Sequence, residues 1–229
     1  MRGGTSKRLR AGWGPALAAL ALIAGDAGGG NPLASFEAAC AGLLPSRVQV
    51  SVVPIAYTQG ESLAIDPLTL RSGQTPGVHL TLGLTTVNFG HQTQIEIRSV
   101  EDHAGARACG TLTVDVTLSM QPMIVYLAQE LDGSPCARNA TMEHELKHVA
   151  VFREVLDEAA HDLAAELAAA IGPAPQRAGS QTELQRQLNA RVNDYLSDFM
   201  HRRQRELDER QNEVDSAQEY ARVKNACRQ

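Results

Sequence analysis

Five consecutive residues, His144-Glu145-Leu146-Lys147-His148, carry the densest chemistry in the chain. Histidines four apart on a helix stand one above the other at 3.6 residues per turn. Both imidazoles can then reach one tetrahedral Zn²⁺ at about 2.0–2.1 Å. Glu145 follows the first histidine by about 100° of rotation, near enough to hydrogen-bond a water on that ion without becoming a ligand itself. That placement suits a general base. With 7 histidines and 15 glutamates among 229 residues, chance supplies the pattern roughly 0.01 times in a chain of this composition.

The motif needs a helix, and the surrounding sequence provides one. Met142, Leu146, Val149, Leu156, Leu163 and Leu167 recur at helical steps, which predicts a helix over 139–171 capped by Asn139 or Thr141. Gly172-Pro173-Ala174-Pro175 stops it inside a linker, 172–180. A second stripe runs through Leu184, Leu188, Val192, Tyr195, Phe199, Leu207 and Val214 and predicts a helical part over 181–226. A straight helix over 181–224 would span about 66 Å, more than a domain of this size covers, so a bend is expected between about Arg202 and Asn212. The run Arg202-Arg203-Gln204-Arg205-Glu206 reads as a solvated helix face.

Upstream the period changes to two. Short alternating runs at 48–55, 78–84, 94–97, 111–118 and 123–127 read as strands, punctuated by turn residues such as Ser72-Gly73, Pro76-Gly77 and Asn88-Phe89-Gly90. The expected fold class is α+β: a small, mostly antiparallel sheet over 28–130, then the motif helix, then a long or bent C-terminal helix. Residues 28–229 form one domain on this reading.

Composition narrows the setting. A chain 43% hydrophobic and 21% charged is globular. Arg2, Lys7, Arg8 and Arg10 precede the apolar run from Trp13 to Ala24 and the small residues Gly25-Asp26-Ala27. This is the pattern of an export signal over 1–27, cleaved after Ala27, and the twelve-residue run is too short to span a membrane. Cleavage removes four positive charges and one negative, taking the formal charge from -5 to -8. An acidic exported chain is a poor partner for nucleic acid. Its expected location is secreted or periplasmic, with no stable membrane span after cleavage. In that oxidising setting Cys40, Cys109, Cys136 and Cys227 are expected to form two disulfides, and three pairings are open. The pairing we favour joins Cys109 to Cys136, closing the segment before the motif helix, and Cys40 to Cys227.

The motif His144 to His148 on its helix resembles the zincin metallopeptidases. More loosely, the arrangement of signal, cysteines, β-rich half and motif helix looks like that of poorly characterised bacterial secreted zinc-dependent proteases. The resemblance implies that His144 and His148 bind Zn²⁺ and that Glu145 activates the water that attacks a peptide bond of a peptide or protein substrate. Lys147 departs from the usual uncharged residue and must point away from the metal.

A third protein ligand is needed. The metzincin position falls on Glu154, but Val151 replaces the glycine that would turn the chain there, so the helix should continue and carry Glu154 away. The gluzincin pattern draws an acid from a second helix instead. Asp215 and Glu219, at i and i+4, share a face there. Glu219 is the expected ligand, with Asp215 as the alternative ligand or as an acceptor that orients an imidazole. His161 and His201 are weaker candidates. The resemblance also implies a hydrogen-bond donor, Tyr220 or Tyr195, and a sheet edge for substrate, 111–118 or 123–127. The competing reading is a non-enzymatic exported binding or envelope-associated protein whose metal site is structural or degenerate.

Overall fold

The computed structural model describes residues 32–228. The expected export signal, 1–27, lies outside them. Helix α1 (Pro32–Ala41) leads into β1 (Arg47–Val52), β2 (Tyr57–Gln59), α2 (Ile65–Arg71) and β3 (Gly83–Thr86). The long hairpin β4 (Phe89–Asp102) and β5 (Arg107–Met120) follows, then β6 (Met123–Leu127) and α3 (Pro135–Ile171). The chain ends with β7 (Gln176–Ala178), α4 (Gln181–Val214) and α5 (Ala217–Asn225). The class is α+β, as expected.

Strand β5 is the spine of the larger sheet. It pairs antiparallel with β4 from Phe89↔Met120 to Asp102↔Arg107, parallel with β1 through Arg47↔Thr113 to Val52↔Leu118, and antiparallel with β7 at its start. The smaller sheet has the order β2-β6-β3, with β3 antiparallel and β2 parallel to β6. The 94–97 run is the centre of a strand that starts at Phe89, because the ladder to β5 absorbs the Asn88-Phe89-Gly90 stretch read as a turn. Of the 78–84 run, only its end forms strand, in β3. Helices α1 and α2 and the short strand β2 had no sequence signal strong enough to predict them. The linker 172–180 is not structureless, since β7 inside it continues the larger sheet.

Alternation on β5 buries Leu112, Val114, Val116, Leu118 and Met120 on one face. Helices α3 and α4 cover that face with two stripes: Val149, Phe152, Leu156, Leu163, Leu167 and Ile171 from α3, and Leu184, Leu188, Val192, Leu196, Phe199 and Leu207 from α4. Leu163 is 0% exposed. Leu163→Ala should therefore cost about 2–5 kcal/mol through lost transfer energy and the cavity left behind. Urea denaturation would read this as a lower midpoint, and an unchanged midpoint would contradict the packing of α3 on the sheet.

Both helix boundaries differ from expectation for physical reasons. Helix α3 begins at Pro135, where a proline's missing N–H costs nothing, and its N-cap is Ser134, whose side chain accepts from the Ala137 N–H at 3.5 Å. Neither Asn139 nor Thr141 caps it. Helix α4 runs unbroken from Gln181 to Val214, so the helix is not interrupted between Arg202 and Asn212. A partner helix of similar length, α3, flanks it throughout, and Phe199 and Leu207 are buried along that seam. Ion pairs from Arg203 to Asp162 and from Arg210 to Glu158 lace the same side. The break comes later, at Asp215-Ser216, where Ser216 caps α5 by accepting from the Glu219 N–H at 3.3 Å.

The disulfides join Cys40 to Cys109 and Cys136 to Cys227, so the favoured pairing is corrected. Helix α1 lies near the turn end of the β4–β5 hairpin, where Cys109 pairs with Val100 and Cys40, Phe36 and Cys109 are buried together. Cys136 in the first turn of α3 meets the tail of α5 instead, and both of those cysteines are exposed. All four cysteines are oxidised, which is compatible with an exported chain. No helix among the described residues is long and apolar enough to cross a membrane.

Candidate metal centre

The helical spacing brings His144 and His148 together as expected. Their ring centroids are 4.8 Å apart, edge to face, and their Nε2 atoms are 3.3 Å apart. Asp215 Oδ1 lies 3.2 Å from His144 Nε2 and 3.3 Å from His148 Nε2. Donors held about 2.0–2.1 Å from one ion at tetrahedral angles stand roughly 3.3–3.4 Å apart. The three atoms therefore form a triangle of the size one metal ion requires, and His144, His148 and Asp215 are a group that can hold such an ion.

Asp215 reaches this point because α4 ends there. As the C-cap residue it has left the helical path, with φ -79° and ψ 28°, and its side chain turns toward α3. Burial alone would raise its carboxyl, but the two imidazoles beside it outweigh that and hold it well below the usual carboxylate range.

Glu219, the residue expected as third ligand, lies to the side of this triangle. Its Oε1 is 3.5 Å from Nδ1 of His144, the ring nitrogen away from the triangle. Its carboxylate is taken by two cations: Arg222 Nη2 donates to Oε1 at 2.7 Å, and Lys147 Nζ stands 2.6 Å from Oε2. Those partners, Arg222 first, lower its carboxyl to about 2. Lys147 thus points away from the triangle and onto Glu219. Glu154 is not part of the metal-binding group, and His161 and His201 are exposed on their helices. Tyr195 donates to Glu166.

The tautomer of His148 follows from its surroundings. Gln211 Nε2 donates to the His148 backbone oxygen at 3.3 Å, which leaves Gln211 Oε1 to accept from the ring Nδ1–H. The Nε2 lone pair then faces the triangle, the arrangement that metal-binding histidines use. Gln211 has no signature of its own in the sequence. Its only signal is that it precedes Asp215 by four residues, one turn earlier on α4. His144 Nδ1 is buried and makes no hydrogen bond to the described residues, because the 3.5 Å approach of Glu219 falls outside hydrogen-bond geometry.

Glu145 is 3% exposed, and burial pushes its carboxyl above the ordinary value, with Thr85 and the two histidines acting against the shift. It lines a cavity of about 390 Å³ together with His144, His148, Asp215, Tyr220 and the 80–85 segment. The Tyr220 ring is 5.8 Å from that of His144. Burial and the nearby Asp215 raise its hydroxyl to about 12, so it stays protonated at neutral pH.

No protein-family model, no curated protein and no solved structure matches this chain. The functional reading therefore rests on the geometry. Neither segment expected as a free sheet edge is one: β5 is flanked by β1 and β4, and β6 by β2 and β3. The edge strand beside the cavity is β3, whose residues Gly83, Leu84 and Thr85 line it.

Proposed function

We propose that this chain is an exported zinc-dependent peptidase. The observation that carries the reading is the triangle of His144 Nε2, His148 Nε2 and Asp215 Oδ1 with a buried carboxylate, Glu145, on the same cavity wall. Two imidazole nitrogens and one carboxylate oxygen match a catalytic zinc site, which keeps a fourth position open, whereas a structural site is closed by four protein ligands. The group has three members among the described residues, which favours hydrolysis over a structural role.

When bound, zinc would supply an acidified water and polarise a substrate carbonyl. The protein's own groups account for the rest. Glu145 takes a proton from the attacking water and passes it to the leaving amine. Tyr220, protonated and at the cavity rim, donates to the oxygen on which charge develops. The edge of β3, unpaired among the described residues, offers backbone groups along which an extended peptide can lie as an added strand.

The metal requirement is the direct test. Protein dialysed against 1,10-phenanthroline should lose cleavage of a mixed peptide library and regain it on stoichiometric Zn²⁺. Equal cleavage by metal-free and reloaded protein would overturn the proposal.

A further inference from the structure

Glu145 is seated from outside its own helix. Thr85 Oγ1 donates to Glu145 Oε2 at 2.7 Å, and Gly83 lies against the other oxygen, Oε1. A Cβ at position 83 would collide with Glu145 Oε1, Cδ and Cγ, so the bare backbone at that position is what makes room for the carboxylate. Gly83 and Thr85 are two apart on β3 and face α3. Leu84, between them, turns to the opposite side and packs with Leu68, Tyr126 and Leu127. The ladder to β6, Gly83↔Leu127 through Thr86↔Ile124, fixes this register. The Ala128 N–H donates to the Leu82 carbonyl at 2.8 Å and extends it. A slip of one residue would set Leu84 in the place of Gly83 and crowd the carboxylate, or in the place of Thr85 and remove its hydroxyl partner.

We propose that Thr85 is a positioning residue for Glu145. Its hydroxyl caps one carboxylate oxygen and holds the side chain in one orientation, leaving the oxygen beside Gly83 to meet the proton that the reaction moves. Oε1 receives no hydrogen bond from the described residues, while Oε2 is engaged by Thr85. The pair separates the two oxygens of a group that could otherwise turn freely. A base held in its productive orientation loses less freedom on reaching the transition state. The inference deepens the peptidase reading and rests on it, and it assigns a role to a Gly-Leu-Thr-Thr stretch that no catalytic motif marks.

The test uses full-length mature protein loaded with Zn²⁺, in three forms: wild type, Thr85→Val and Thr85→Ser. Valine matches threonine in shape and removes only the hydroxyl, while serine restores it. Thr85→Val should lower kcat for a fluorogenic peptide about 10- to 100-fold. KM and zinc affinity, the latter by competition with a chromophoric chelator, should stay within about twofold, and Thr85→Ser should recover most of kcat. A second readout does not need turnover: acetohydroxamate, which binds the metal and also donates to a neighbouring carboxylate, should bind the valine variant about tenfold more weakly than wild type or serine variant. Wild-type kcat and hydroxamate affinity in Thr85→Val would overturn the proposal, as would a serine variant as impaired as valine. If wild type itself shows no turnover, the peptidase reading fails while the hydroxamate comparison still decides the role of Thr85.

Discussion

Glu145→Gln should leave zinc bound at one ion per chain while lowering peptide hydrolysis by about 10²- to 10⁴-fold, the usual worth of a positioned general base. Glutamine is the informative replacement because it keeps the volume of a side chain that is 3% exposed. It also keeps a carbonyl oxygen able to accept from Thr85, as the carboxylate does at 2.7 Å. What it loses is the capacity to accept a proton. Alanine would add a cavity and an unpartnered threonine hydroxyl, mixing stability with chemistry. The measurement pairs metal content by elemental analysis with kcat on a fluorogenic peptide. Unchanged turnover at full zinc content would sink the assignment of Glu145 as base.

Asp215→Ala should weaken zinc binding by two to three orders of magnitude. Structural zinc sites with four ligands bind with roughly 10–16 kcal/mol, so an equal share is about 2.5–4 kcal/mol per ligand. The fold should tolerate the change, because Asp215 caps α4 through its backbone N–H to the Gln211 carbonyl and not through its carboxylate. Glu219→Ala should cost much less, about tenfold, because its carboxylate is occupied by Lys147 and Arg222 and faces the far nitrogen of His144. Competition against a chromophoric chelator gives both affinities. The reverse order would reinstate Glu219 as the ligand and contradict the triangle.

Much of this site was legible in the sequence because helical periodicity does two things at once. The same 3.6-residue repeat that buries Val149, Leu156 and Leu163 also stacks His144 over His148. Asp215 and Glu219 were equally legible as a pair but could not be ranked, because an i, i+4 spacing presupposes one continuous helix. Here a cap intervenes: α4 stops at Val214 and Ser216 opens α5. That break turns Asp215 into the triangle and leaves Glu219 beside its rim. Gly83 and Thr85 were out of reach, since a strand's contribution depends on which helix crosses it. The unbroken length of α4 was missed for a related reason: it looked excessive until α3, of similar length, was seen to flank it. The cysteine pairing depends on where α1 and α5 dock, and neither short helix announces that in its own residues.

The exposed bridge from Cys136 to Cys227 spans 91 positions and encloses His144, His148 and Asp215. Helix α5 has no buried residue of its own, so this covalent tie and the ion pairs of Glu219 and Arg222 hold it against α3, beside the site that the end of α4 completes with Asp215. Closing a loop of that size removes about 4–5 kcal/mol of freedom from the open chain. A polypeptide that has not yet met an oxidant must gather these three side chains against that entropy, and one that has been oxidised begins with them leashed together. Oxidation thereby lowers the entropic cost of assembling the His144, His148 and Asp215 group that can hold a metal ion.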